Sequence, residues 1–326
     1  MMSDLFSMRD PYPSTEYRGI LCIGDPHLQG RIPGFRKDNY PRVVLDKFRW
    51  CLAYAKQHKL LPAILGDMFN VPRDNPNWLI VELLQLFTRP IVGIYGNHDV
   101  HENALTEHDS LSILLQAESF RLLDHENLFC GEMNGMPVAI GGTPWGRAFP
   151  RHPEIPASHD KTKKPLVIWL AHHDMILPGY EEQGKIEPGE GPQVDLVING
   201  HIHRRLADAT AGGTTWITPG NISRQKRSDA TRDHVPSALR IDIDASGWKH
   251  SYVEVPHRPF EEVFHETITE AELDRSESAF VAGLRELQSR RTEGGAGLQL
   301  FLEKNLDQFD EDVAAEIQQL AQEVTS

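Results

Sequence analysis

Short apolar runs punctuate the first two thirds of the chain, and each is followed at once by polar, turn-forming residues. Ile20–Ile23, Ala63–Leu65, Ile91–Tyr95, Leu166–Leu170 and Val194–Ile198 are such runs. Unbroken and rich in Ile, Leu and Val, they predict strands buried on both faces. Between the first three, the period changes to that of a helix. Residues 41–58 place Val44, Phe48, Cys51, Leu52 and Ala55 on one stripe, and 78–87 form a short apolar helix. Strand and helix alternating over a hundred residues predict a parallel, layered α/β sheet. Ligands bind such sheets beyond the carboxyl ends of their strands.

Further along, the pattern predicts a helix near 104–120 and a hairpin of 128–131 with 136–141 about Asn134-Gly135. Two long loops follow, 142–164 and 178–192; loops of that length in a compact domain are usually functional. A strand at 214–218 and a hairpin of 238–243 with 248–255 complete this part. From about 260 the pattern is helical. Thr269 and Glu272 form a capping box ahead of Leu273, Phe280, Leu284 and Leu287, and Val313, Ile317, Leu320 and Val324 stripe a last helix. The expected division is a catalytic domain over 1–259 and an acidic, mostly helical region over 260–326, a reduced cap or partner-docking element.

Composition sharpens this picture. The chain has 326 residues, 40% hydrophobic and 8% aromatic, enough for one large domain and a small appendage. No run approaches a membrane span, and residues 1–17 lack the apolar core of a signal peptide. Cys22, Cys51 and Cys130 lie scattered in apolar segments, which fits reduced core thiols and a cytoplasmic setting. The net charge of -14 is uneven: from Phe260 onward 16 acidic residues face 5 basic ones, against 31 and 28 before it. The acidity therefore belongs to the tail and does not exclude a polyanionic substrate.

The polar exits of the apolar runs carry the chemistry. They read Asp25-Pro26-His27, Gly66-Asp67, Gly96-Asn97-His98-Asp99, Ala171-His172-His173 and Gly200-His201-Ile202-His203. Asp, Asn and Gly at strand ends are also ordinary turn residues. Together, however, they supply seven candidate ligands: Asp25, His27, Asp67, Asn97, His172, His201 and His203. Such oxygen and imidazole donors suit manganese, iron or zinc, and seven suffice for two ions if one carboxylate bridges. Two ions about 3.5–4 Å apart clamp a phosphoryl group and generate hydroxide near neutral pH. His98, next to Asp99, can be held in one tautomer and stabilise charge on a phosphoryl or leaving oxygen.

In order, Asp-x-His, Gly-Asp, Gly-Asn-His-Asp, His and Gly-His-x-His, each after a strand and spanning residues 19–222, resemble the calcineurin-like metallophosphoesterase superfamily. That resemblance implies a two-sheet α/β sandwich flanked by helices, with a small helical C-terminal appendage. It implies one ion on Asp25, His27, Asp67 and His203. A second would lie on Asp67, Asn97, His172 and His201, with Asp67 bridging. His98 would be the catalytic histidine and Asp99 its orienter.

Finer features resemble the SbcD branch of DNA-repair exonucleases: residues 24–30, Gly66-Asp67-Met68-Phe69, Thr218-Pro219-Gly220-Asn221 and Val255-Pro256-His257-Arg258-Pro259-Phe260. Asn221 stands where Ser is commoner, and Asn70 where an acid or His often follows Phe. This closer likeness implies manganese-dependent cleavage of DNA phosphodiesters by metal-bound hydroxide, beside an SMC-like ATPase of the SbcC type, with a dimer as one possible state. The alternatives are a phosphoesterase for cyclic nucleotides, dinucleotides or phosphoproteins, and a non-catalytic nucleic-acid or ATPase-binding subunit. Arg147, Arg151, Lys161, Lys163, Lys164, Arg204, Arg205, Arg224, Lys226 and Arg227 are either solvated loop charge or a phosphate-tracking rim. Trp145 is expected to pack, and His101, His108, His125, His152 and His159 to lie on the surface or in loops.

Overall fold

A computed structural model describes residues 11–33, 36–88, 91–158, 160, 162–180, 184–225, 227 and 229–265. Strand β1 (Gly19–Ile23) shows why the apolar runs are unbroken: every one of its residues is buried, because both of its faces meet apolar layers. Leu21 and Ile23 join a core shared with helix α1 (Tyr40–His58), while Ile20 and Cys22 face a second core between two sheets. The same alternation recurs in β2 (Leu60–Leu65), where Leu60 and Ile64 face the helices and Leu61 and Leu65 the other sheet.

The first sheet has the order β12-β11-β1-β2-β3-β4. Its parallel half is β1, β2, β3 (Ile91–Ile94) and β4 (Phe120–Leu122); β11 (Ser237–Asp244) and β12 (Gly247–Glu254) add an antiparallel hairpin beside β1. The second sheet has the order β5-β6-β7-β8-β10-β9. Here β6 (Met136–Thr143), β7 (Leu166–Ala171), β8 (Leu196–Asn199) and β10 (Thr214–Ile217) run parallel. The edges β5 (Phe129–Met133) and β9 (Ala209–Ala211) are antiparallel to their neighbours. In β7, Leu166, Ile168 and Leu170 fill the space between the sheets, and Val167, Trp169 and Ala171 a third core on the far face. Each large aliphatic side chain among these contributes roughly 1.5–3 kcal/mol of burial. The fold is thus the expected two-sheet α/β sandwich, with α1, α2 (Asn77–Leu86) and α3 (Ser110–Gln116) on the outer face of the first sheet.

One local expectation is corrected. The helix expected over 104–120 is only α3, and the chain then enters β4. Asp109 sets the start: its carboxylate accepts from Thr106 N (2.8 Å), Thr106 Oγ1 (2.9 Å) and Arg73 Nε (3.1 Å), which fixes a turn where the helix was expected. Glu118, at φ 53°, ends it. Strand β9, Ala209-Thr210-Ala211, is an addition: three residues are too few for a period to register. The hairpins about Asn134-Gly135 and residues 245–246 form as expected, and the described residues of 144–165 contain no helix or strand.

The chain divides into two units, Met1–Ile32 with Lys37–Phe264, and Pro33–Arg36 with His265–Ser326. The first unit runs through α4 (Phe260–Val263) to Phe264; Phe260, Val263 and Phe264 are all buried. The helices expected from Thr269 and over 313–324 lie outside the described residues. Among those residues, no helix is long and apolar enough to cross a membrane.

Candidate metal centre

The carboxyl ends of β1, β2, β3, β7 and β8 converge, and the five ligand-rich turns meet there. Adjacent turns are tied to one another: His27 N donates to Asp67 O and Leu28 N to Met68 O, both at 2.9 Å, so the β1–β2 pairing continues past the strand ends. Asp25, His27, Asp67 and His201 all adopt positive φ, between 40° and 68°. A non-glycine residue held there costs of order 1 kcal/mol, and clustering of such residues marks functional turns. Glycine is needed where the turns touch. A Cβ on Gly66 would sit 2.3 Å from His172 Nδ1, and one on Gly96 2.1 Å from Asp67 Oδ1.

Two donor groups result, sharing one carboxylate. Asp25, His27, Asp67 and His203 bring one ligand atom each within 4.8 Å of the others, and so do Asp67, His172 and His201. His27 Nε2 and His203 Nε2 are 2.9 Å apart, and His27 Nε2 lies 3.5 Å from Asp67 Oδ2. On the other side, His172 Nε2 is 3.3 Å from Asp67 Oδ2 and 3.2 Å from Asn97 Oδ1, and His201 Nδ1 is 2.9 Å from Asn97 Oδ1. Asn97 thus joins the second group. Of the His172-His173 pair, the ring in the cluster is His172. His173 lies near-parallel to the Trp145 ring and close to that of Phe149, and its backbone N–H donates to Asn199 Oδ1.

The donor chemistry fits divalent cations. Asp25 is fully buried, yet its Oδ2 has no hydrogen-bond partner among the described residues; a carboxylate oxygen in that position is costly unless a cation meets it. His172 Nδ1 lies 2.7 Å from the Leu65 carbonyl, which holds an N–H there and turns Nε2 toward the cluster. Charge is tightly balanced. Burial pushes the Asp25 carboxyl up to about 8, with Asp67 adding to the effect against His172. Burial also acts on Asp67, but His172, His98 and His27 outweigh it and hold that carboxyl well below the usual range. Burial, against the pull of Asp67, keeps His27 far below the ordinary histidine value, in the neutral form that binds metals. Divalent charge between Asp25 and Asp67 would stabilise both carboxylates.

His98 stands beside the first group, its ring 4.8 Å from that of His27 and edge-on to it. Its backbone N–H donates to Asp67 Oδ1 at 2.8 Å, and its ring Nδ1 lies 2.8 Å from the Asn70 carbonyl. The atom in contact with His98 Nδ1 is thus the Asn70 carbonyl, and the Asp99 carboxylate has other partners. Asp99 is fully buried and accepts from Met68 N (3.1 Å), Phe69 N (2.9 Å) and Gly96 N (2.9 Å), clasping the β2 and β3 turns together. Burial and the nearby Asp67 push its carboxyl up to about 7 against those three amides.

Two neighbours of the centre complete its walls. Asp174, which belongs to none of the ligand motifs, places Oδ1 2.7 Å from His201 Nε2 and Oδ2 3.1 Å from Lys185 Nζ. Burial is outweighed by His201 and Lys185, and the Asp174 carboxyl falls to about 2. Its only sequence signal was adjacency to the His172-His173 pair. Trp145 packs at 4.9 Å from the His201 ring and walls the site, as its expected packing role requires.

The basic residues divide. Arg147 is exposed beside Trp145, with Nε 3.2 Å from Tyr95 Oη; Arg204 and Arg205 are exposed directly after His203. Arg151 and Arg227 are also exposed. Lys163 and Lys164 instead bond Gly135 O and Asp195 at the amino end of β7, away from the centre. Arg224 is buried and donates to the His234 and Arg258 carbonyls. Lys161, Lys226 and His159 lie outside the described residues. His101, His108, His125 and His152 are exposed and outside both donor groups.

Among curated proteins none matches this sequence. Among the solved structures similar to this chain are three of low identity. A hypothetical protein from Thermus thermophilus is 14% identical with a TM-score of 0.42, covering 73% of this chain and 99% of that one. A conserved uncharacterised protein of Streptococcus pneumoniae, described as a predicted phosphoesterase, is 13% identical with a TM-score of 0.31, covering 75% and 93%. Haemophilus influenzae NAD nucleotidase is 11% identical with a TM-score of 0.39, covering 88% and 70%. The sequence model of the calcineurin-like phosphoesterases matches residues 19–205, which is more than half the chain and takes in all seven donors. The chain belongs to the calcineurin-like phosphoesterase family, whose members are metal-dependent phosphoester hydrolases.

Proposed function

We propose that the protein is a two-metal phosphodiesterase, a manganese-dependent nuclease of the SbcD kind acting on DNA. The observation that carries the reading is the sharing of Asp67 by two donor groups, with His98 alongside. Asp25, His27, Asp67 and His203 would hold one ion, and Asp67, Asn97, His172 and His201 the other. When bound, the ions supply the positive charge that draws in a phosphoryl group and makes water a better nucleophile. The side chains do the rest. With Nδ1 committed to the Asn70 carbonyl, His98 has Nε2 left to meet a phosphoryl or leaving oxygen. Its main chain is fixed to the shared carboxylate, so the ring cannot drift from the donor groups.

A polymer substrate is favoured by exposure. Asp25, His27, Asp67 and His172 are buried, whereas Asn97, His98 and His201 are half-buried and His203 is exposed. The centre thus has a closed floor and an open rim, and exposed arginines flank its residues in sequence: Arg147 two residues after Trp145, and Arg204 and Arg205 directly after His203, the first donating to the Gly179 carbonyl and the second lying over the Tyr252 ring. An ATPase of the SbcC type belongs to the same reading. Its candidate docking stripe, Val313, Ile317, Leu320 and Val324, lies outside the described residues.

The test is digestion of end-labelled duplex and single-stranded DNA with manganese and with chelator, with His98→Ala as the control for contaminating nuclease. Manganese-dependent degradation that the variant lacks supports the nuclease. Hydrolysis of an aryl phosphodiester without DNA cleavage overturns DNA as the substrate of the isolated chain and leaves a small-molecule phosphoesterase.

A further inference from the structure

We propose, on the basis of the two-metal reading, that Asp174 is a positioning residue that selects the His201 tautomer able to bind the second ion. The two ring nitrogens of His201 face different acceptors. Nδ1 is 2.9 Å from Asn97 Oδ1, and Nε2 is 2.7 Å from Asp174 Oδ1. A neutral imidazole carries one N–H, so only one of these contacts is an imidazole hydrogen bond at a time.

The two arrangements have opposite consequences. With the proton on Nδ1, His201 donates to Asn97 Oδ1, and two members of the second donor group satisfy each other. With the proton on Nε2, it goes to Asp174, and the Nδ1 lone pair and Asn97 Oδ1 converge as two acceptors. Without a cation the Asn97 amide can turn its NH2 to that lone pair; with one, Nδ1 and Oδ1 both face it as ligands. A carboxylate accepts more strongly than an amide oxygen, roughly twofold in hydrogen-bond energy, so Asp174 decides in favour of the second arrangement.

Asp174 is held for this task. It is 14% exposed at the side chain, its Oδ2 pairs with Lys185 Nζ, and its carbonyl accepts from Lys185 N (2.8 Å) and Ile186 N (3.0 Å). His201 is equally fixed: its backbone N–H donates to Asp25 Oδ1 at 2.9 Å, and its backbone sits at φ 68°. His172 solves the same problem with a backbone carbonyl, that of Leu65. Of the two second-group histidines, only His201 is set by a side chain, and hence only there is the tautomer open to substitution.

The experiment compares the full-length wild-type chain with Asp174→Asn and Asp174→Ala. Long-range 1H–15N correlation of the histidine rings in chelator-treated protein reads the tautomer, with His201 assigned by its loss in His201→Gln. The wild type is expected to show a bare Nδ1 and protonated Nε2, and Asp174→Ala a protonated Nδ1. Manganese calorimetry is the second readout. The weaker of two sites is expected to lose about 10- to 100-fold in affinity in Asp174→Ala and less in Asp174→Asn, with the other site unchanged. An unaltered tautomer in both variants overturns the assignment. So does equal weakening of both sites with a lowered melting temperature, which marks a structural role. Failure of the wild type to bind two manganese ions would refute the two-metal reading instead, and the ring spectra would still decide the part played by Asp174.

Discussion

His98 Nδ1 lies 2.8 Å from the backbone carbonyl of Asn70, an atom supplied by the turn after β2 rather than by its own loop. The carbonyl is itself fixed. Asn70 N donates to Leu28 O at 3.0 Å, and the Asn70 side chain accepts from Gln225. A backbone acceptor orients the ring without adding a charge next to Asp67. His98→Ala is therefore expected to lower kcat on an aryl phosphodiester by about 10²–10⁴-fold and to leave both ions bound. Turnover and metal analysis on one preparation check this; loss of both ions would assign His98 to holding metal instead.

Asp67 belongs to both donor groups and His203 to one. Asp67→Ala is expected to abolish binding of both ions, and His203→Ala to remove only one. Calorimetric stoichiometry with manganese distinguishes them, and an Asp67→Ala protein that still bound one ion tightly would refute the sharing.

Gly96 offers a test that deletes no ligand. A Cβ there would stand 2.1 Å from Asp67 Oδ1 and 2.5 Å from Asp67 N. Gly96→Ala must push the shared carboxylate aside, so manganese affinity should fall at both sites although all seven donors remain. Unchanged affinity at both would show that the turn yields at no cost.

Away from the centre, His234 predicts a pH dependence of stability. Burial lowers it from 6.5 to about 4, with Arg224, Lys47 and His257 nearby, although Nε2 bonds the Asn221 carbonyl at 3.0 Å. Between those values the unfolded chain takes up a proton that the folded chain refuses. This contribution is complete above about pH 6.5 and is lost as pH falls toward 4, up to roughly 3 kcal/mol. His234→Gln should flatten that part of the profile, as measured by melting temperature at pH 7.5 and 4.5. Equal acid-induced losses in variant and wild type would exclude His234 as a source.

If DNA follows the open rim, charge there matters and charge at the far end does not. Arg147→Gln should reduce the salt slope of DNA binding by about one and weaken binding to all sequences alike, whereas Lys164→Gln should do neither. Fluorescence anisotropy over a range of salt concentrations measures both, and equal effects would place the DNA elsewhere.

The sequence by itself determined the strands, the order of the ligand-bearing turns and the residue types in them. Those follow from local physics: an unbroken apolar run buries both faces, and Asp, Asn, Gly and His leave it where the sheet ends. Seven donors at five such exits were legible because each motif is a few residues long. Only the tertiary structure decided who touches whom. Asp99 reaches back to Met68 and Phe69 rather than to its neighbour His98, and Asp174 meets His201 from 27 residues away. Lys164 turns to Asp195 at the wrong end of the sheet for a phosphate rim, and Asp109 ties down a turn where apolar spacing alone continued a helix. Hydrophobic period fixes where a residue lies along its own element, but hydrogen-bond partners are set by packing between elements, and no local pattern records that.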